Sequence, residues 1–250
     1  MELIVDKVFE GVDFTSQRFE IAEYDQCKFI KCNFNGVDVG GAVFADVIFD
    51  QCDLGMMKVD KTSFREVECS SCKIIGVQFE HINPFGLSLK FVDDNLDHSN
   101  FYKVILRKTS FINCSLKEVD FSNSDLTASV FHNCDFHQAV FDSTILNKVD
   151  FRTSNNYIID PIVNKIKQSI HSYPSVLGLI NHFDIQIDWL SIFKSAVFSS
   201  RKKWPQHDRN QSGSKSLISS ISIKLLTNKF LNVTYVTLNY MSSMIAKYIV

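Results

Sequence analysis

Residues 91–151 read FVDDN LDHSN FYKVI LRKTS FINCS LKEVD FSNSD LTASV FHNCD FHQAV FDSTI LNKVD F, a phenylalanine or leucine opening every block of five. An amphipathic helix repeats its apolar residues every 3.6 positions and a half-buried strand every 2.0, so a sustained five fits neither. Each block must hold a short straight piece and a corner, which predicts a solenoid.

Working outward, the same period runs through Phe9, Phe14, Phe19, Tyr24, Phe29, Phe34 and on to Phe64, Cys69, Ile74 and Phe79. Two positions before each large centre stands a small or β-branched residue, such as Ala22, Cys32, Val47, Thr62, Ser99, Val119 or Cys134. The position just before the centre is often Asp or Asn (Asp13, Asn33, Asp53, Asn100, Asp120), side chains suited to bonding backbone at a turn.

These blocks, among them Cys-Asn-Phe-Asn-Gly at 32–36, Cys-Asp-Leu-Gly-Met at 52–56 and Ser-Asp-Leu-Thr-Ala at 124–128, resemble the pentapeptide-repeat family over residues 1–188. The resemblance implies an all-β solenoid, a right-handed quadrilateral β-helix in which four blocks close one square coil. Residues twenty apart should then stack. Phe91, Phe111 and Phe131 form one predicted column and Phe101, Phe121 and Phe141 the opposite one. Leu106 with Leu126, and Leu116 with Phe136, supply the remaining walls. Facing phenylalanine and leucine walls are expected to fill the bore as a packed core.

The cysteines repeat at the same interval: Cys32, Cys52 and Cys72, then Cys114 and Cys134. A column one inter-strand spacing apart, about 4.8 Å, offers a row and not a cage, so packing is expected and no metal or cofactor. Cys69 and Cys72 form a Cys-x-x-Cys pair split between a centre and a small position. Seven cysteines, an odd number placed within the repeat, read as reduced buried hydrophobes and not as a disulfide framework.

Phe79 and Phe91 are twelve apart where two blocks would give ten. The expectation is an irregular corner over 80–90, made of two six-residue faces centred on Phe79, Phe85 and Phe91, with Pro84 and Gly86 absorbing the excess. Asp94 then falls at the missing rung of the cysteine ladder. A carboxylate there is either buried and perturbed or turned outward by a local distortion, and the outward turn is expected.

The β-helix is assigned to 1–154 and a helical cap to 155–188. Asp160-Pro161 should start one helix with Ile162, Ile166 and Ile170 on a face; Pro174 should start a second with Val176, Leu179, Ile180 and Phe183. Phe183, Ile185 and Ile187 alternate like an edge strand. The same apolar surface could instead join two copies as a homodimer through 155–188. Residues 189–250 lack the repeat and form a basic tail, read as an extension without selected function or as a membrane-surface or nucleic-acid arm. Its longest uncharged run, 230–246, is short and polar for a membrane span.

Residues 1–188 carry 17 Lys+Arg against 27 Asp+Glu, and residues 189–250 carry 9 against 1. The opening MELIVDKVFEGVD has neither a basic nor an apolar targeting segment, so the cytoplasm is the expected compartment. No phosphate loop, nucleophile elbow or His-Glu-x-x-His motif occurs, and His132 and His137 fall on adjacent outer faces, so no catalytic activity is expected.

The function expected first is a protein-interaction scaffold with an unidentified protein partner, the solenoid itself binding no nucleic acid. A second reading follows from the family resemblance. Its Qnr-type quinolone-resistance branch imitates DNA and occupies the DNA site of bacterial gyrase and topoisomerase IV. The candidate acidic surface is Asp13, Asp53, Asp97, Glu118 and Asp135, among which Lys73 and Lys117 intervene. A net −10 over roughly 36 Å of stacked coils is about half the charge density of duplex DNA. A third reading is an assembly element that joins chains through its ends.

Overall fold

The computed structural model describes residues 1–183 and 185. Its strands are β1 (Leu3–Val5), β2 (Val8–Glu10), β3 (Glu23–Asp25), β4 (Lys28–Ile30), β5 (Val43–Ala45), β6 (Ile48–Asp50), β7 (Ser63–Arg65), β8 (Val67–Ser70), β9 (Leu89–Val92), β10 (Ser110–Ile112) and β11 (Val130–His132). All pair in parallel. One sheet runs β1-β3-β5-β7 and the other β2-β4-β6-β8-β9-β10-β11, while isolated bridges continue both sheets and build two further sides. The chain is an all-β solenoid.

The block of five explains this geometry directly. Two residues past each centre the backbone enters the left-handed region, as at Gln26 (φ 54), Asp46 (φ 53), Lys108 (φ 60) and Asn133 (φ 55), which turns the chain through a corner. The strain of a non-glycine residue there, about 1 kcal/mol each, is offset by the large side chain that every corner delivers to the bore.

The small position does a second job. At most sites where it is cysteine or polar, though not at Ser124, its side chain bonds the coil before it by donating to a carbonyl, and in several coils it also accepts a corner N–H. The Cys134 N–H donates to Ser154 Oγ (3.0 Å), which donates to the Phe131 carbonyl (2.9 Å); Thr144 N–H, Asn164 and the Phe141 carbonyl repeat the arrangement. Cysteine, serine and threonine combine the volume with this bonding, whereas Ala22, Val47 and Val119 at the same position supply the volume alone.

In the bore, Phe91 stacks on Phe111 (5.0 Å between ring centres), Phe111 on Phe131 (4.7 Å), Phe101 on Phe121 (5.3 Å) and Phe121 on Phe141 (5.4 Å). The two walls meet edge to face, Phe111 and Phe121 lying 6.3 Å apart at 87°. Leu106, Leu116, Leu126 and Phe136 are likewise buried.

The irregular corner differs from the two-face expectation. Ser63 bridges Asn83, so Pro84 stands in register with Phe64 and the step from Phe79 is an ordinary five. Both extra residues, Leu87 and Ser88, lie between the left-handed corner at Gly86 (φ 70) and Leu89, which pairs with Val67. Phe85 is no centre: it is 74% exposed, with the Arg65 guanidinium 5.7 Å from its ring. Pro84 is exposed as well, and Leu87 and Leu89 turn towards the core instead. The proline is too short to fill the bore and Cys69 interrupts the phenylalanine column, so an apolar cavity of about 10 Å³ remains among Phe64, Cys69, Phe79, Leu89 and Phe91.

The expected first cap helix is absent. Ile145 bridges Lys165 and Asp150 bridges Ile170, so these residues continue the coil, and the isoleucines read as a helical face fall on its sides. Asp160 does receive the Ile162 N–H at 2.7 Å, but this closes a turn and not a helix. The second helix is short and of 3-10 type, Ser175–Leu179, followed by Asn181–Phe183. The expected edge strand falls partly outside the described residues, as does the whole of 189–250, and Ile185 belongs to no strand. The end of the bore is plugged by Tyr157 and His171, joined by a hydroxyl–Nδ1 bond of 3.0 Å, with His171 stacked on Phe151.

Candidate interaction surface

Asp13, Asp53 and Asp135 lie in one outward row, bridged rung by rung through Asn33, Lys73, Asn95 and Ser115. They stand there because the position before each centre points outward and receives the N–H two residues on, closing the turn. Asp13 takes the Thr15 hydroxyl (2.6 Å) and N–H (3.0 Å), and these hold its carboxyl below the usual range. Asp53 is partly buried, which raises its pKa, but the Gly55 N–H, Lys73 (3.0 Å) and Asn35 more than offset this and hold it low. Asp135 receives Asn156 at 2.6 Å and pairs with Lys117 at 3.6 Å.

Asp97 and Glu118 lie beside this row and not in it. Asp97 accepts the Ser115 hydroxyl (2.6 Å) and the Lys117 N–H (2.9 Å); Glu118 pairs with His98 at 3.3 Å. The five candidates thus share one side, where lysines interrupt them and turn backbone uses much of their bonding capacity. His132 and His137 do not converge: His132 bonds Thr153 and His137 gives its N–H to Asp135. Among the described residues no group of three or more His, Cys, Asp or Glu could hold a metal ion.

The cysteine ladder is continuous from Cys32 to Cys72, each N–H meeting the next sulfur at 3.4 Å. All seven thiols are free and buried. Burial pushes Cys69 well above the usual thiol range; hydrogen bonding to Cys52 and then burial push Cys72 up, and Cys134 and burial do the same for Cys114.

Asp94 corrects the outward-turn expectation. It is 2% exposed and occupies the missing rung, its carboxylate accepting the N–H of Cys72 at 2.6 Å and of Val92 at 2.9 Å. Those two bonds make the inward position tolerable where a distortion would have broken the ladder. Burial is the larger influence and pushes its pKa up to about 7.

Two surface features escaped the sequence reading. An open groove of about 480 Å³ lies on the N-terminal coils among Arg18, Ile21, Gly36, Val37 and Gly40, where glycines replace outward side chains. The side carrying β1, β3, β5 and β7 is acidic in one half and basic in the other, a pattern visible only once the columns are assigned.

The pentapeptide repeats family model matches residues 27–65, 95–133 and 120–155, in eight copies. The chain is 25% identical over 114 residues to the quinolone resistance pentapeptide repeat protein QnrB96 of Scandinavium goeteborgense, a match covering 42% of this chain and about half (53%) of that protein. Among solved structures it resembles trypsin-treated QnrB1, a plasmid-mediated fluoroquinolone resistance protein, with TM-score 0.57, 21% identity, and 75% of this chain and 92% of that one covered. It also resembles HetL, a pentapeptide repeat protein involved in heterocyst differentiation regulation in Nostoc sp. strain PCC 7120, with TM-score 0.54, 14% identity, and 68% and 86% covered. These structural likenesses establish the fold. No helix among the described residues is long and apolar enough to cross a membrane.

Proposed function

From a chain built of pentapeptide repeats and related to the Qnr quinolone-resistance proteins, we propose a non-enzymatic scaffold that binds another protein along the outside of its coil. The observation that carries this reading is the filled bore. Stacked rings such as Phe111, Phe121 and Phe131 occupy the interior, and chemistry is left to rigid outward rows. Rows spaced by parallel pairing lose little freedom on binding, which favours a partner with a matching flat surface. A cytoplasmic setting belongs to the same reading, supported by seven buried free thiols. Binding by affinity capture, repeated with the purified partner and with Asp53→Asn and Asp135→Asn, which remove the charge but can keep the turn bond that Asn33 and Asn95 make in the same row, tests it. A scaffold using this side loses binding in those variants while its melting temperature holds.

A second reading is occupancy of the DNA site of gyrase or topoisomerase IV, favoured by the similarity to a quinolone-resistance protein and by the row of Asp13, Asp53 and Asp135. The Lys73–Asp53 and Lys117–Asp135 pairs weaken it, because they cancel charge where a DNA mimic needs it. Gyrase supercoiling with and without a quinolone, titrated with the full chain at low and physiological salt, decides. No effect at micromolar protein removes this reading and leaves the scaffold.

A further inference from the structure

The side built on β1, β3, β5 and β7 is bridged on to Asn83, and beyond the irregular corner a second bridged run, Ile105, Asp125, Ile145 and Lys165, occupies the same side. Its first half presents Glu2, Asp6, Glu23, Asp25, Asp46 and Glu66, against Arg65, which pairs with Glu23 at 4.0 Å, Lys7 next to Asp6 and Lys61 at the corner before β7. Its second half presents Arg107, Lys108, Lys148, Lys165 and Lys167, and its Asp125 is already held by Arg107 at 2.6 Å. Between the halves Phe85, 74% exposed, projects from the irregular corner.

We propose that this side is a self-association surface, on which a second copy of the chain lies antiparallel about a twofold axis passing beside Phe85. A twofold contact requires a self-complementary patch, and a strip acidic at one end, basic at the other and apolar in the middle meets that condition. Counting coils outward from Phe85, β7 with Arg65 and Glu66 comes opposite Arg107 and Lys108, β5 with Asp46 opposite the coil of Asp125, β3 with Glu23 and Asp25 opposite Lys148, and the coil of Glu2 and Asp6 opposite Lys165 and Lys167; Arg65 and Arg107 are each already paired within the chain, with Glu23 and Asp125. A parallel arrangement would set like charges against each other, so the charge pattern fixes the orientation. Val43, Ala45, Ser63, Thr127 and Ala128 keep the strip low in relief, so that two walls can approach. A nucleic acid fits this side less well, because its phosphates would meet repulsion along the acidic half. The proposal names a partner that the scaffold reading leaves open and does not depend on topoisomerase binding.

Sedimentation of the full chain across micromolar concentrations, at low and high salt, tests it. A dimer is expected at low salt, weakening as salt screens the exposed charges. Glu23→Lys with Asp25→Lys in one variant, and Lys148→Glu with Lys167→Glu in another, should each weaken self-association by at least about tenfold. An equimolar mixture of the two should recover it as a heterodimer. Phe85→Glu, which sets two charges together at the axis, should weaken it without touching either charged half. Equal melting temperatures establish that the variants fold. A wild-type chain that stays monomeric at low salt overturns the proposal. So does a dimer indifferent to these substitutions, which would lie elsewhere, as through 155–188. Binding of duplex DNA by a chain that remains monomeric overturns it too.

Discussion

The carboxylate of Asp94 accepts the main-chain N–H of Cys72 at 2.6 Å, in the place where Cys72 itself offers sulfur to the N–H of Cys52 at 3.4 Å. An ionised carboxylate answers only half of what the rung asks. It accepts, but it cannot donate to a carbonyl as Cys72 does to Phe49 at 3.3 Å. The rung is therefore filled by a group whose protonation matters.

Burial, with smaller contributions from Asp93 and Glu68, raises the Asp94 pKa to about 7 against the two N–H bonds that lower it. Since the unfolded value is about 4, the folded chain binds the extra proton between these values and loses stability as pH rises through 7. Asp94→Asn can copy Asn164, which accepts the Thr144 N–H at 2.8 Å and donates to the Phe141 carbonyl at 3.0 Å. The variant is expected to be more stable than the parent by a few kcal/mol at pH 8, the gain shrinking towards pH 4. Urea unfolding at both pH values checks this, and a gain independent of pH would refute it.

Phe121 lies between Phe101 and Phe141 and is wholly buried. Truncation to Ala is expected to cost about 3–5 kcal/mol, since rigid neighbouring coils cannot collapse into the space. Equilibrium denaturation measures it; a cost below about 1 kcal/mol would mean that the coils relax, contrary to tight packing.

Folded protein should react slowly with a thiol reagent, and all seven cysteines should become reactive on denaturation, because each is buried and none is disulfide-bonded. Mass spectrometry of labelled peptides gives the order of reaction. Rapid labelling of Cys69, Cys72 or Cys114 without denaturant would contradict the burial that raises these thiols.

A Cβ on Gly178 would run into the Tyr157 carbonyl oxygen, while the Gly178 carbonyl itself receives the Ile159 N–H at 3.1 Å. Gly178→Ala should therefore detach the 3-10 turn from the end of the bore and lower stability by about 1–3 kcal/mol. Loss of amide protection at Ile159, read by hydrogen exchange, would localise the effect; unchanged protection there would rule it out.

The period of five carried most of the fold, because each block supplies its own corner and centre and stacking only repeats them. For that reason the twenty-residue columns, the buried Phe121 and the row of Asp13, Asp53 and Asp135 could be read before any coordinate. Where a local rule met a competing one, the sequence alone was ambiguous. The Ile162, Ile166 and Ile170 spacing suits a helix by itself, yet pairing of Lys165 with Ile145 and of Ile170 with Asp150 satisfies the open edge below and draws the segment into the coil. The placement of the two extra residues depended on the bridge from Ser63 to Asn83, and the depth of Asp94 on N–H groups from another coil and from the end of β9 just before it. The acidic and basic halves of one side are scattered along the chain and meet only after the corners have sorted every residue to a face. Sequence determined what repeats, since repetition is local chemistry; tertiary structure decided the exceptions, since each depends on which backbone groups of a neighbouring coil remain unpaired.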